Sequence, residues 1–383
     1  MAELTGIEVN GDVLAWARET SAMNKTKASE SSGISLSRLE QLESGNKQPS
    51  LQELRTLSKT YRRTIATLLL NSPPPEKPLP RDRRTVNSEI EIGTFSEKTI
   101  IAIRKARAIA QSLLELKTDA GISVPKFSES ALISDDPSEV ASRLRDKWNL
   151  SEVRGLEKTN DALEAYIEKV EILGVAVFQL SLTQDNVRGF SIVDDVIPIV
   201  GIKGGGEPTT AKIFTLFHEV GHLLLNEGGI CDISDKSTIQ IEKWCNSFAA
   251  NLLIPSNELL KQSIVQDYYS QGITAWPKKD LIQLGQVFHV GPLSILRALL
   301  ENGRTSSNFY SQKHDSWNKP TFGRAKNPEG RNLPKEILRE KGRTYVSLAF
   351  RAFDQNRIDL KDLSDFLGLK LRYIPKTRQL LNV

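Results

Sequence analysis

The sequence predicts an α+β protein that is mainly α with a small antiparallel β-sheet. Over most of the chain, apolar residues recur three or four positions apart, which is the spacing of one helix face. β-branched and aromatic residues concentrate instead in three short runs, 174–180, 189–193 and 196–202. Three such runs close together in sequence predict a compact antiparallel sheet or meander.

The helical patterns divide the chain into four parts. Residues 10–70 predict four or five short helices, and further helical patterns cover 97–117, 138–173 and the chain from Lys212 onward. Five prolines between Asn71 and Pro80 cannot continue a helix. We therefore predict a helical bundle over 1–72, a proline-rich linker over 73–96, a central domain over 97–302 and a helical C-terminal domain over 303–383.

Composition is that of an ordinary globular protein. The 383 residues include 51 Lys+Arg and 47 Asp+Glu, and 39% are hydrophobic. These values exclude a disordered or collagen-like chain. The apolar run 197–202 is typical of the longest, far below the roughly 20 residues of a membrane-spanning helix. With two cysteines and no visible secretory signal, we expect a cytoplasmic protein without a membrane partner.

The strongest motif is His-Glu-x-x-His, formed by His218, Glu219 and His222 within an apolar helical stretch. Positions i and i+4 share one helix face, so both imidazoles can bind one cation. Zinc prefers nitrogen ligands of this kind and keeps an open position in catalytic sites. Glu219 is offset around the helix, beside that position, where its carboxylate can take a proton from water.

A catalytic zinc needs a third protein ligand, and Glu242 is the best candidate. It lies beside a core-facing stripe of the following helix, formed by Ile241, Cys245, Phe248, Ala249 and Leu252. A carboxylate next to a buried face requires a partner. Asn246, one turn later, is a candidate to hydrogen-bond a metal ligand and so fix its orientation.

Other residues compete for the third position. Glu227, Asp232 and the thiolate of Cys231 are closer in sequence, in the turn after the motif helix. Glu242 could also be a surface residue beside Lys243. The remaining histidines are poorer candidates, because His289 lies in a turn between helices and His314 in a polar break.

Two segments resemble the ImmA/IrrE-type zinc metallopeptidases. They are Phe214–Leu225, which holds the His-Glu-x-x-His motif, and Glu242–Pro255, which holds Glu-x-x-Cys-Asn-x-Phe-Ala-Ala. The resemblance implies a zincin-like domain that binds Zn²⁺ through His218, His222 and Glu242, with Glu219 as catalytic base. It also implies an endopeptidase that cleaves a regulatory protein, such as a repressor or an antitoxin encoded by a neighbouring gene.

An extended substrate could add to a sheet edge, and the run 196–202 directly precedes the metal helix. The alternative function is a non-proteolytic regulator or toxin–antitoxin component that binds DNA or a partner through a structural zinc. Glu219 distinguishes the two, because a structural site needs no base.

The N-terminal block resembles the Xre/Cro helix-turn-helix over Gly33–Pro49. That resemblance implies a helix from Ser35 in the DNA major groove. Ser35, Ser37, Arg38 and Gln41 are then the candidates to contact bases or phosphates. Residues 1–72 carry nine basic and eight acidic residues, so a degenerate domain used for protein docking is the alternative.

The C-terminal part carries most of the positive charge. Residues 304–383 contain 17 basic and 8 acidic residues, an excess of nine. The segments 345–353 and 357–369 predict an amphipathic helix and a turn followed by a short helix. This charge suits either a phosphate-binding surface or an ordinary solvated face that clamps onto the acidic remainder of the chain.

Overall fold

A computed structural model describes residues 6–21, 23–75, 97–182, 187–193, 197–226, 235–317 and 332–381. The chain forms two compact units, residues 1–105 and residues 106–383. The protein is mainly helical with a small sheet, which confirms the predicted α+β class. Most of the predicted linker, from residue 76 to residue 96, lies outside the described residues.

The first unit begins with five short helices, as predicted. They are α1 (Gly11–Glu19), α2 (Lys25–Ser32), α3 (Leu36–Glu43), α4 (Leu51–Tyr61) and α5 (Ile65–Leu68). Polar N-caps begin each of them, because a side-chain oxygen satisfies an amide that lacks an intrahelical acceptor. The caps are Asn10, Asn24, Ser35, Ser50 and Thr64. Gly33 ends α2 in the left-handed conformation, at φ 70°.

A buried ion pair joins α1 to α3 in this unit. Arg18 Nε and Nη2 donate to the two Glu43 carboxylate oxygens at 2.7 and 3.0 Å, and both side chains are more than nine-tenths buried. Leucines such as Leu39, Leu54 and Leu57 fill the core around the pair. Glu43 therefore does not present its charge to solvent, although the sequence places it on the proposed DNA-reading helix.

The second unit contains the remaining helices and all strands found in the described part of the chain. A long helix, α6 (Glu97–Asp119), contains the boundary between residues 105 and 106. It is followed by α7 (Pro137–Lys147), a 3₁₀ helix over Leu150–Gly155, α8 (Thr159–Ile172), β1 (Ala176–Leu180), β2 (Gly189–Ile192), β3 (Ile199–Lys203), α9 (Thr209–Leu224) and α10 (Asp235–Leu253). The predicted helical stretch 138–173 is thus two helices separated by a 3₁₀ turn.

Shorter helices complete the unit. They are α11 (Ser256–Leu259), α12 (Ser263–Ser270), α13 (Lys278–Phe288), α14 (Pro292–Glu301), α15 (Ser307–Trp317), α16 (Leu333–Lys341), α17 (Arg343–Asp354), α18 (Leu360–Leu367) and α19 (Ile374–Leu381), with a 3₁₀ turn over Leu371–Tyr373 before the last. None of the helices, within the described residues, is both long and apolar enough to cross a membrane.

The sheet is mixed, so the prediction of an antiparallel sheet or meander is wrong in part. Its strand order is β1-β3-β2, with β3 parallel to β1 and antiparallel to β2. The run 196–202 was predicted to offer an edge to substrate, but its described part forms the central strand. A central strand has both edges paired. Within the described residues, β2 is therefore an edge strand, with β1 at the opposite edge.

The C-terminal helices are part of the second unit. Helix α16 packs against β1, and Gly342, between α16 and α17, lies close to the Val177 carbonyl of that strand. The Thr344 hydroxyl donates to Glu171 Oε2 at 2.5 Å, which ties α17 to the end of α8. The predicted helices over 345–353 and 357–369 correspond to α17 and α18.

Candidate metal centre

Two helices meet at the predicted metal site because a glycine lets them approach. Helix α9 carries the His-Glu-x-x-His motif, and α10 packs along it. A Cβ added at Gly221 would lie 3.2 Å from both Cβ and Sγ of Cys245. That spacing is shorter than ordinary van der Waals contact, so a larger residue at Gly221 would push α10 away from α9.

The structure brings His218, His222 and Glu242 together. The two imidazole Nε2 atoms are 3.2 Å apart. His218 Nε2 is 3.3 Å from Glu242 Oε2, and His222 Nε2 is 3.3 Å from Glu242 Oε1. Among the described residues, this is the group of His, Cys, Asp and Glu side chains whose ligand atoms could hold a metal ion.

These distances fit a zinc ion. Zinc binds His nitrogen and carboxylate oxygen at about 2.0–2.2 Å with tetrahedral geometry. Two ligand atoms of such a tetrahedron are separated by about 3.3–3.5 Å, since the edge is roughly 1.63 times the metal–ligand distance. The Nε2–Nε2 separation of 3.2 Å is close to one edge of that tetrahedron, and Glu242 places a different carboxylate oxygen 3.3 Å from each imidazole. Three protein ligands leave a fourth position open, as in catalytic zinc sites.

The charges at the site are mutually dependent. Burial opposes ionisation of Glu242, but hydrogen bonds from His218 and His222 outweigh it and lower its pKa to about 2. Burial favours neutral His218, yet the Glu242 hydrogen bond and the charges of Glu219 and Glu242 raise its pKa. The carboxylate is thus held in the ionised form that a metal ligand requires.

Glu219 lies under the edge strand β2. Glu219 is only 7% exposed. Burial raises the pKa of its carboxyl group, although the charges of His222 and His218 and a hydrogen bond with Ser191 act in the opposite direction. A Cβ added at Gly189 would lie 2.8 Å from Glu219 Oε1. The run 189–193 was predicted as a strand, but Gly189 and Ser191 were not predicted as site residues. A four-residue strand does not show by its pattern which residues face the helix packed against it.

The supporting residues and rivals are placed as follows. Asn246 is close enough to His218 to raise its pKa, although His218 Nδ1 has no partner within hydrogen-bonding geometry in the described structure. The rivals Glu227, Asp232 and Cys231 lie outside the described residues.

The other two histidines belong elsewhere. His289 is a buried residue at the end of α13, and His314 is half-buried on α15 beside Asp315. Neither contributes to the ligand group.

Asn226 explains how the motif helix ends. It follows α9 at φ 49°, a left-handed conformation that asparagine tolerates better than most residues. Asn226 therefore acts as a helix-terminating residue just beyond His222, and the next described residue is Asp235.

The four candidate DNA contacts differ in their availability. The Ser35 hydroxyl caps α3 by accepting from the Arg38 amide at 3.3 Å. Arg38 donates to both carboxylate oxygens of Glu53, at 2.8 and 3.0 Å, and to the Gln48 carbonyl at 3.1 Å. Ser37 is exposed and Gln41 is half-buried. Arg38 therefore joins α3 to α4 within the bundle.

Comparison with known proteins supports the peptidase assignment. Residues 170–300 match the family of IrrE N-terminal-like domains, Peptidase_M78. That range contains the sheet, α9 and α10, and with them all three candidate ligands. The match supports a peptidase of the zinc metallopeptidase type. No curated protein and no solved structure matches the chain.

Proposed function

We propose that this chain is a zinc-dependent endopeptidase that cleaves a regulatory protein, a repressor or an antitoxin. In this proposal His218, His222 and Glu242 hold the zinc and Glu219 is the base. The observation that carries it is the burial of Glu219 beside His218, His222 and Glu242, whose facing nitrogen and oxygen atoms are 3.2–3.3 Å apart. A purely structural zinc would give no reason to bury a fourth ionisable group there.

Each residue has a defined task in peptide hydrolysis. When bound, zinc supplies a Lewis acid that polarises a carbonyl and makes water more acidic. Glu219 would accept the water proton at a carboxylate oxygen and pass it to the leaving amine. The Ser191 hydrogen bond and the close approach of Gly189 hold that carboxylate in position. Its buried surroundings limit competing contacts with solvent.

The edge strand offers a binding surface for an extended substrate. The Lys203 amide donates to the Arg188 carbonyl at 2.8 Å, which marks Arg188 as a residue hydrogen-bonded to β3. Backbone groups alternate in an antiparallel pair, so Gly189 and Ser191 direct their amides and carbonyls to the outer edge. A peptide that adds to this edge would lie beside Glu219.

The proposal also gives residues 1–72 a targeting role. Helices α2 and α3 have eight residues each and meet at the Gly33 turn, consistent with the helix-turn-helix resemblance. Such a module could bring the peptidase to a DNA-bound repressor, or bind the substrate protein directly. The substrate class comes from the ImmA/IrrE resemblance.

The test compares the wild type with Glu219→Gln. Each full-length protein, loaded with zinc, is co-expressed with the small helix-turn-helix protein or antitoxin of the neighbouring gene. We expect both forms to bind about one zinc, and the wild type alone to cut the partner into two fragments. An intact partner with zinc-loaded wild type would contradict the proposal for that substrate.

A further inference from the structure

Two cations, Arg188 and Lys203, lie beside the Glu207 carboxylate at the end of the sheet that is nearest to Glu219. Lys212 and Arg339 add positive charge in the same region, and the four cations are called the basic cluster below. Lys203 Nζ is 3.6 Å from Glu207 Oε1, and Arg188 Nε is 4.0 Å from the same atom. Lys212 interacts electrostatically with both Glu207 and Arg339. Within the described residues, Arg188 and Lys203 thus share the Glu207 carboxylate, while Lys212 and Arg339 add positive charge.

In the described part of the chain, the basic cluster includes cations without a short ion pair to a carboxylate. The Arg188 side chain is 67% exposed, and its nearest carboxylate is at the limit of an ion pair. Lys212 Nζ donates to the Gly204 carbonyl at 2.7 Å, not to a carboxylate. Burial, helped by the charge of Arg339, lowers the Lys212 pKa to about 8. An additional anion at this place would therefore be stabilised.

The basic cluster is within reach of a peptide bound at the site. Arg188 immediately precedes Gly189, so their Cα atoms are about 3.8 Å apart, and Gly189 lies against Glu219. The neighbouring residues Gly205 and Gly206 have no side chains and nothing within 4 Å of an added Cβ. A peptide on the β2 edge would place a side chain at the basic cluster within two or three residues of the cut bond.

We propose that the basic cluster selects peptide substrates with an acidic side chain, Asp or Glu, close to the scissile bond. The inference rests on the proposed endopeptidase function and adds a substrate class to it. Arginine can bind a carboxylate through two parallel hydrogen bonds, which gives position as well as attraction. Arg188 supplies such a group immediately before β2, and Arg339 on α16 adds a second guanidinium charge that acts on Lys212.

Binding can be tested without turnover. The probe is a labelled ten-residue Ala/Ser peptide with three Glu residues, compared with the same peptide carrying Gln. Fluorescence anisotropy with zinc-loaded full-length Glu219→Gln should show at least about tenfold tighter binding of the Glu peptide at low salt, and a smaller difference at high salt. Arg188→Glu with Arg339→Glu should remove the preference.

The matched control is Lys361→Glu with Lys376→Glu, which makes the same charge change on α18 and α19 and should keep the preference. Equal binding of the two peptides, or a preference that survives reversal at Arg188 and Arg339, would overturn the inference. Tighter, cluster-dependent binding of a ten-residue oligothymidylate would also overturn it, in favour of a phosphate ligand.

The outcome is separable from that of the proposed function. If the wild type cuts its partner but the Glu peptide has no advantage, the substrate preference fails while the peptidase stands. If the Glu peptide binds through the cluster while the wild type cuts nothing, the acidic-peptide surface stands and the peptidase proposal fails.

Discussion

Gly189 on β2 and Glu219 on α9 face each other across the interface between these two elements. A Cβ on Gly189 would lie 2.8 Å from Glu219 Oε1 and 3.0 Å from Glu219 Cγ. The first distance is shorter than real Cβ contacts and the second is at the tight end of them, so the carboxylate occupies space that only a glycine at position 189 leaves open. The edge strand and the Glu219 side chain are therefore packed as one unit.

Gly189→Ala should reduce peptidase activity while leaving the metal in place. The added methyl group would clash with Thr215 Cγ2 and with the Glu219 carboxylate, both on α9. A misplacement of that carboxylate by about 1 Å can cost on the order of 100-fold in rate. His218, His222 and Glu242 are not among the nearest atoms to the new methyl, so zinc content should stay near one per chain. Fragment formation from the partner protein and metal analysis measure the two effects.

Gly205→Ala is the matched control for that change. Gly205 has nothing within 4 Å of an added Cβ and no positive φ. It should retain wild-type activity. Equal activity of Gly189→Ala and Gly205→Ala would show that the position of Glu219 does not limit the reaction.

Glu242→Ala should weaken zinc binding by a large factor. Removal of one of three protein ligands leaves two histidines, and even residues behind the ligands change metal affinity about 10–100-fold. Glu219→Gln should retain zinc, because Glu219 is not in the ligand group. Competition with a chelator measures the affinities. Unchanged zinc affinity in Glu242→Ala would show that the third ligand is not Glu242, and would leave Glu227, Cys231 and Asp232 as the candidates.

The local part of the site could be predicted from sequence. His218 and His222 are one helical turn apart, so their convergence depends only on the helix. Glu242 is 20 residues beyond His222, yet the stripe containing Ile241 and Cys245 was sufficient to place it near the core. Both inferences use helix periodicity, which is a property of the chain itself.

The relationships between elements could not be predicted in the same way. Three short apolar strands carry no information on order or direction, so the parallel β1–β3 pair was missed. Gly189 is constrained by Glu219, which lies on another element. Arg38 was assigned to DNA because nothing in the sequence shows that Glu53, across the α3–α4 turn, binds it.

Arg38→Ala should destabilise the first unit. It removes two hydrogen bonds to Glu53 and one to the Gln48 carbonyl. The pair is about one-quarter exposed, so we expect a loss of about 1 kcal/mol. Denaturant unfolding of the full chain measures it. Exposed Ser37→Ala should have no such effect, and a loss of DNA binding with unchanged stability in Arg38→Ala would instead support a direct contact.

The Arg38–Glu53 pair also predicts how the stability of the protein changes at low pH. Hydrogen bonds from Arg38, against some opposition from burial, lower the Glu53 pKa from 4.5 to about 2. The folded-state pKa is depressed, so the stabilisation is present above pH 4.5 and is lost as the pH falls toward 2. The difference in unfolding free energy between wild type and Glu53→Gln should shrink over that interval. A constant difference would contradict the assignment.

Glu171 should behave in the opposite sense. Burial raises its pKa from 4.5 to about 7, although the Thr344 hydrogen bond and the charge of Lys117 oppose the shift, while Glu168 adds to it. A raised pKa means that the folded chain holds a proton which the unfolded chain releases. Stability is then fully present below pH 4.5 and is lost as the pH rises through 7, by on the order of 3 kcal/mol.

Glu171→Gln should remove this pH dependence, because its amide oxygen can still accept from the Thr344 hydroxyl and carries no charge. Compared with wild type, the variant should unfold at a temperature several degrees higher at pH 8 and at a similar temperature at pH 4.5. Asp161→Asn, an exposed position on α8 that does not contribute to the Glu171 shift, is the control and should follow the wild-type curve. If the Glu171→Gln and wild-type curves are parallel from pH 4.5 to pH 8, Glu171 does not carry a proton in the folded chain, and the contact between α8 and α17 is an ordinary hydrogen bond to a carboxylate.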